Sequence, residues 1–299
     1  MNNVYVRNKT SIKSISLYHM LALIPVIIYG LYKNGIYLYM NKYIGLSMLF
    51  RPIIILFSGF CIGAIVNIIY EKLIKRNKDT LLEIIFSSFH AEYGLILGCL
   101  CMPNTNVLIF IPTVFVCLFI SKFLNNRINT IAFSFIVFFL ISKFVSSVDY
   151  NNIYESSKIF HLTFMDYMIG KNAGGLATTH IILILVGLVF LALTNNIKKN
   201  IAISSLSTYI VLIIIYCIVK NESILESIFI TNYIFAFIFV ATDTVSSSYS
   251  NKGTVIFGIL IGVLTFGITF LYKPLAPFIA ILIASIFNNL IDRKASLLK

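Results

Sequence analysis

Ten apolar stretches of 17 to 22 residues, parted by short polar breaks, constrain this chain more than any motif in it. They run at about 15 to 32, 51 to 72, 84 to 102, 105 to 121, 131 to 147, 177 to 195, 200 to 219, 225 to 241, 254 to 272 and 275 to 291. Each is long enough to cross the hydrocarbon of a bilayer as a helix, the conformation in which a single segment satisfies its own backbone polar groups. With 59% apolar, 14% aromatic and only 11% charged residues, 299 residues cannot bury their apolar surface in one globular core. The expected fold class is an all-α integral membrane protein of about ten transmembrane helices. The polar start MNNVYVRNKTSIKS is followed by no small-residue cleavage site, so the first span is expected to stay.

The formal charge of +12 does not point to nucleic acid, because the basic residues gather at span ends, as the positive-inside rule requires. With an even number of spans and the N-terminus inside, the inner side collects fifteen of the twenty-three, among them Lys75, Arg76, Lys122, Lys198, Lys252 and Arg293. Both termini are therefore expected in the cytoplasm of a multi-pass protein of the cell membrane, in contact with its lipids. Cys99-x-Cys101 fits either half of a metal or iron–sulfur site or two buried apolar side chains. His161 and His180 have no acid beside them, and no metal site is expected.

The long connection at 148–176 falls at the middle of the chain and carries its own short apolar piece at 164–169, too short to span. Residues 1–14 then form an inner segment, 15–147 a first group of five helices, 177–292 a second of opposite topology, and 293–299 a tail. The third span of each half is interrupted, at Met102-Pro103-Asn104 and at Thr242-Asp243. Interrupted spans at matching places in two inverted halves point to a central site, since broken helix ends offer unpaired amides or carbonyls.

These stretches resemble a known family. FVATDTVSSSYSNKGTVIFGILIGVLT is similar to the ATDPV-x-x-P...KG-x-x-x-(F/Y)G-x-x-x-G segment of the RnfD/NqrB family, closest at Ala241-Thr242-Asp243, Val245, Lys252-Gly253 and Phe257-Gly258. EYGLILGCLCMPN, NNRINTIAF, MIGKNAGGLATTHIILILVGLVFL and FNNLIDR resemble further family stretches, in the family's order. The resemblance implies two inverted five-helix halves in a membrane subunit of an electron-transfer complex. Partners would be other membrane subunits, and a flavinylated protein outside the membrane is one candidate. The family carries FMN on a Thr of an S-G-A-T motif in the loop after the fifth span. Here that loop reads SSVDYNNIYESSKIFHLTF, with no such motif, so covalent FMN is not expected. A non-covalent flavin (FMN or riboflavin) or a quinone is the cofactor the resemblance leaves.

Single residues carry two readings each. Asp243 is either a cation or proton ligand or a turn-forming acid whose carboxylate accepts backbone amides. Glu92 is either a coupling acid facing the centre or an interfacial residue if the span starts later. Gly174 and Gly175 with Thr178, at the start of the sixth span, either hold an anionic head group or cap the helix. Asn129 is a cap or a cofactor ligand, and Thr242, Asp243 and Gly253 around the eighth-span break are further candidate cofactor ligands. A stand-alone transporter or channel, with Glu92 and Asp243 on a midplane path, is the alternative function.

Overall fold

The computed structural model describes residues 11–124, 128–146, 162–221, 223–229 and 232–297. Regular structure among them is helical throughout. Helix α1 (Ile12–Leu31) continues through a π-helical turn at Tyr32–Ile36 to Tyr37–Met40, and α2 (Arg51–Ile69) through another at Tyr70–Ile74. Then come α3 (His90–Leu100), α4 (Val107–Ser121), α5 (Thr130–Ser146), α6 (Ile181–Leu193) and α7 (Lys199–Lys220). The chain ends with α8 (Tyr233–Phe235, running on as a π-helix at Ala236–Val240), α9 (Asn251–Thr269), α10 (Ala276–Ile286) and α11 (Asn288–Leu297).

Every apolar run contains a helix, but in the third, fourth, sixth, eighth and tenth runs the helix is shorter than the run. Among the described residues four are long and apolar enough to cross a membrane: Ile12–Met40, Leu46–Ile74, Lys199–Lys220 and Asn251–Thr269. A fifth appears if Lys273–Ile286 and Asn288–Ala295, bent by 58°, count as one. The expected third span at 84–102 starts only at His90, because Leu81–Ile85 forms its own turn on a Thr80–Glu83 capping box. The sixth starts at Ile181 with His180 as N-cap, not at residue 177, and the eighth divides into Ile224–Ile228 and α8. The short apolar piece at 164–169 is a helix, with a Thr163–Asp166 capping box and a left-handed Gly170 (φ 82°) closing it. Residues 148–161, His161 among them, lie outside the described residues.

Small residues set the closest helix contacts. On α2 and α3, Gly59 faces the Gly94 carbonyl and Gly63 the His90 carbonyl, so an added Cβ on either would strike backbone. The spacing is four on both helices, the small-xxx-small arrangement that lets helices approach where lipid supplies no hydrophobic drive. On α7 and α9, Gly258 sits against Ser204 and the Ile201 carbonyl, and Gly262 against Thr208 and the Ser205 carbonyl. Large apolar side chains on the outside, such as Leu108, Phe144 and Leu271, are left open, as a lipid-facing surface requires.

Gly63→Ala or Gly94→Ala should lower stability by about 1–3 kcal/mol, the usual cost of overpacking. Gly267→Ala, whose Cβ would meet nothing within 4 Å, should leave it unchanged. Unfolding midpoints of the purified variants in detergent check the contrast.

Candidate functional site

Helix α8 stops inside the protein, and the residues after it turn on themselves. The Asp243 carboxylate accepts from the Ser246 amide (3.0 Å) and hydroxyl (2.6 Å), the turn its sequence foretells. Its other oxygen accepts from the Tyr93 hydroxyl of α3 at 2.7 Å, a contact spanning the two halves of the chain. Asn129 crosses the same boundary. Its side-chain oxygen caps α5 at the Ala132 amide (2.9 Å), while its amide nitrogen donates to the Val240 carbonyl (2.9 Å) and the Ser246 hydroxyl (3.0 Å). Asn129 is therefore both a helix cap and the partner of a carbonyl at the end of α8. The Thr242 hydroxyl turns back to the Ile238 carbonyl (2.5 Å).

Two further groups hold the segment after Asp243. Lys198 donates to the Thr244 carbonyl (3.3 Å), the Ser247 carbonyl (3.0 Å) and the Ser247 hydroxyl (2.8 Å). Burial pushes its ammonium down to about 8, while Asp243 and Asp292 pull it up. Asp292 accepts from the Ser248 hydroxyl (2.5 Å) and from the Ser250 hydroxyl (3.1 Å) and amide (3.3 Å). A Cβ at Gly253 would fall among Ser248, Ser250 and Asp292, which is why glycine stands there.

A cavity of about 310 Å³ opens on this region. Asp243, Tyr93 and Thr130 line it with polar groups, Tyr70, Phe89 and Phe133 with aromatic rings, and His90, Lys122 and Lys75 with basic side chains. Lys122 donates to the Asn67 side-chain oxygen (2.6 Å) and the Ser88 hydroxyl (3.2 Å), and lies 5.0 Å from the Tyr70 ring centre. His90 is bracketed by the hydroxyls of Ser88 (3.1 Å) and Ser121 (3.3 Å).

Glu92 is buried in the first turn of α3. Its Oε1 lies 2.8 Å from Nδ1 of His19 on α1, itself buried. Sequence reading passed over His19; a lone titratable residue in the first apolar run, SLYHMLAL, was the available signal. Lys122, Tyr93 and Asp292 were missed as site residues because only tertiary contacts assign them.

Gly174, Gly175 and Thr178 belong to a different place. The segment before α6 is laid against the far end of α3, where the Leu176 and Ala177 amides donate to the Cys101 (2.7 Å) and Cys99 (3.0 Å) carbonyls. Gly175 is held within van der Waals range of the Leu100 carbonyl, and Gly174 beside it is buried. The Thr178 hydroxyl donates to Asn232 (2.6 Å), and Lys33 donates to Thr179 (3.2 Å) and to the Gly170 and Asn172 carbonyls (2.6 Å each). These residues are not the first turn of α6. Seven residues of α3 separate Leu100 from Tyr93, about 10 Å at 1.5 Å per residue. Cys99 and Cys101 are buried free thiols, and among the described residues no three His, Cys, Asp or Glu side chains gather for a metal.

Asn129→Ala should cost about 1–3 kcal/mol, because it strands the Val240 carbonyl and uncaps α5; unfolding in mixed micelles measures it. The folded chain holds the Lys198 proton less tightly than the unfolded chain, so this residue makes stability rise as pH climbs from about 8 towards its ordinary 10.5. Lys198→Met should flatten that rise in unfolding midpoints taken across the same window.

No curated protein matches the sequence at a significant level. A family model described as NQR2, RnfD, RnfE family matches residues 1–296. The match covers nearly the whole chain and includes every element that builds the site. This multi-pass membrane protein thus belongs to the NQR2, RnfD, RnfE family, the membrane subunits of electron transport complexes.

Proposed function

We propose that this chain is a subunit of an Rnf/Nqr-like complex that holds a flavin or quinone ring non-covalently in the cavity between its two halves. The observation that carries this reading is the cavity itself, walled by α2–α5 residues on one side and by Asp243 and Val245 on the other. Its volume of about 310 Å³ is at the lower end of the roughly 300–1,000 Å³ usual for ligand sites. That suits a ring system better than a whole dinucleotide. The donor set fits: aromatic faces of Tyr70, Phe89 and Phe133 for stacking, and Lys122, Tyr93 and Thr130 for carbonyl or phosphate oxygens. When bound, such a group supplies electron transfer; this chain's residues bind it, orient it and keep lipid away. No S-G-A-T motif occurs in the loop after the fifth span, so the attachment is non-covalent.

In this reading the ten apolar helices form two inverted five-helix halves, with α3 and α8 as the interrupted members meeting near Tyr93 and Asp243. The basic residues Lys75, Lys122 and Lys198 cluster around the cavity and the loop after α8, which supports placing this end, with both termini, in the cytoplasm. Other membrane subunits of the complex cover part of the exposed apolar surface, and a flavinylated protein outside the membrane would accept or give electrons. Burial of Glu92 and Asp243 favours a second reading, in which the two acids form an ion path through a stand-alone transporter or channel.

Purification from its native membrane separates the two. A flavin or quinone released on denaturation, with co-purifying membrane subunits, is the expected result, and Tyr93→Phe with Lys122→Met should reduce the bound group several-fold. A chain that releases neither flavin nor quinone, has no partners and moves solute into liposomes would exclude the redox reading. If Glu92→Gln and Asp243→Asn alter neither electron transfer nor flux, neither acid couples ions.

A further inference from the structure

The buried imidazole and carboxylate of His19 and Glu92 are each only half satisfied. One bond joins them, Nδ1 to Oε1 at 2.8 Å, and it has to contain a proton. The outer atoms of both, His19 Nε2 and Glu92 Oε2, are buried without a partner. Ser16, one turn before His19 on α1, has an unpartnered buried hydroxyl, and both side-chain polar atoms of Asn196 are in the same position. Buried polar atoms without partners are costly, and several together call for internal water or a mobile proton.

The surroundings select the proton. Glu92 accepts at Nδ1 and the Asn196 backbone lies near the ring, so Nε2, which has no partner, is the nitrogen left to exchange its proton. The titratable groups facing the pair are Asp243, within electrostatic reach of His19, and Tyr93, next to Glu92 on α3. Helix α6, which also packs on α1, carries no titratable side chain. Tyr93 is hydrogen-bonded to Asp243, and both line the cavity.

We propose that His19 and Glu92 form a proton-exchange site that loads and unloads one proton through Tyr93 and Asp243 to the cavity. In the loaded state the pair is imidazolium and carboxylate. On unloading, the imidazolium gives its Nε2 proton to an internal water, which passes a proton by way of the Tyr93–Asp243 pair to water in the cavity, leaving a neutral imidazole that still donates from Nδ1 to Glu92. This deepens the reading of Glu92 as a coupling acid, and the chemistry of the pair does not require that a flavin or quinone be bound.

Nitrogen NMR of the full chain in lipid, with carbonyl-labelled tyrosine and ring-labelled histidine, tests it directly. Tyr18-His19 is the one Tyr-His step in the sequence, so its signal assigns without any variant. The His19 ring should pass between two protonation states across the pH range in which the chain stays folded, and Glu92→Gln should lower its proton affinity at least tenfold. Tyr93→Phe should slow hydrogen–deuterium exchange at the ring at least tenfold. A ring that stays in one state, or titrates alike in Glu92→Gln, overturns the site; unchanged exchange in Tyr93→Phe overturns the route. Loss of the cofactor reading would show instead as a protein that releases neither flavin nor quinone and whose His19 still titrates.

Discussion

A helix that ends inside protein leaves carbonyls that bulk water does not reach, and this fold depends on how two such ends are closed. Helix α3 stops at Leu100, and the Leu176 and Ala177 amides, from beyond the long central loop, take the Cys99 and Cys101 carbonyls. Helix α8 stops at Val240, whose carbonyl accepts the Asn129 amide from the first half of the chain. Each short helix is thus finished by a residue distant in sequence. That ties the halves together at both places and leaves each free to remain short.

Around those ends the polar residues do different work at the two ends of α3. At its C-terminal end they are consumed: Lys33, Thr178, Asn232 and the amides of 176–177 bond to one another and to backbone. At its N-terminal end Asp243, Tyr93, His90 and Lys122 are also bonded, yet they border a cavity with aromatic walls. Satisfied groups around a space can turn to a ligand without a large change in backbone. This is why the second location, and not the glycine-rich segment before α6, supports a binding function.

The sequence made several of these features legible, for physical reasons. Asp243 among hydroxyl residues spells a local turn, and local turns survive tertiary packing, so its bond to Ser246 was readable from three residues of spacing. Asn129 was readable as a cap, since capping is local, but its second bond to Val240 joins residues 111 apart and had no sequence signal. Gly174 and Gly175 misled for the converse reason. Glycines before an apolar run look like a helix start, whereas Gly175 is needed for close approach to the Leu100 carbonyl. Glu92 stood out as an acid at membrane depth, but its partner His19 is 73 residues away.

By itself the sequence determined the solvent, the helical class, the positions of the apolar segments and the family, because hydropathy and motif order are written along the chain. Tertiary structure alone decided where each helix stops, since an end is tolerated only where another segment supplies the missing partners. It also decided which polar residues share a site. The pairing of His19 with Glu92 and of Tyr93 with Asp243 comes from helix packing set by Gly59, Gly63 and Gly94, and by backbone contacts at separations that no local pattern encodes.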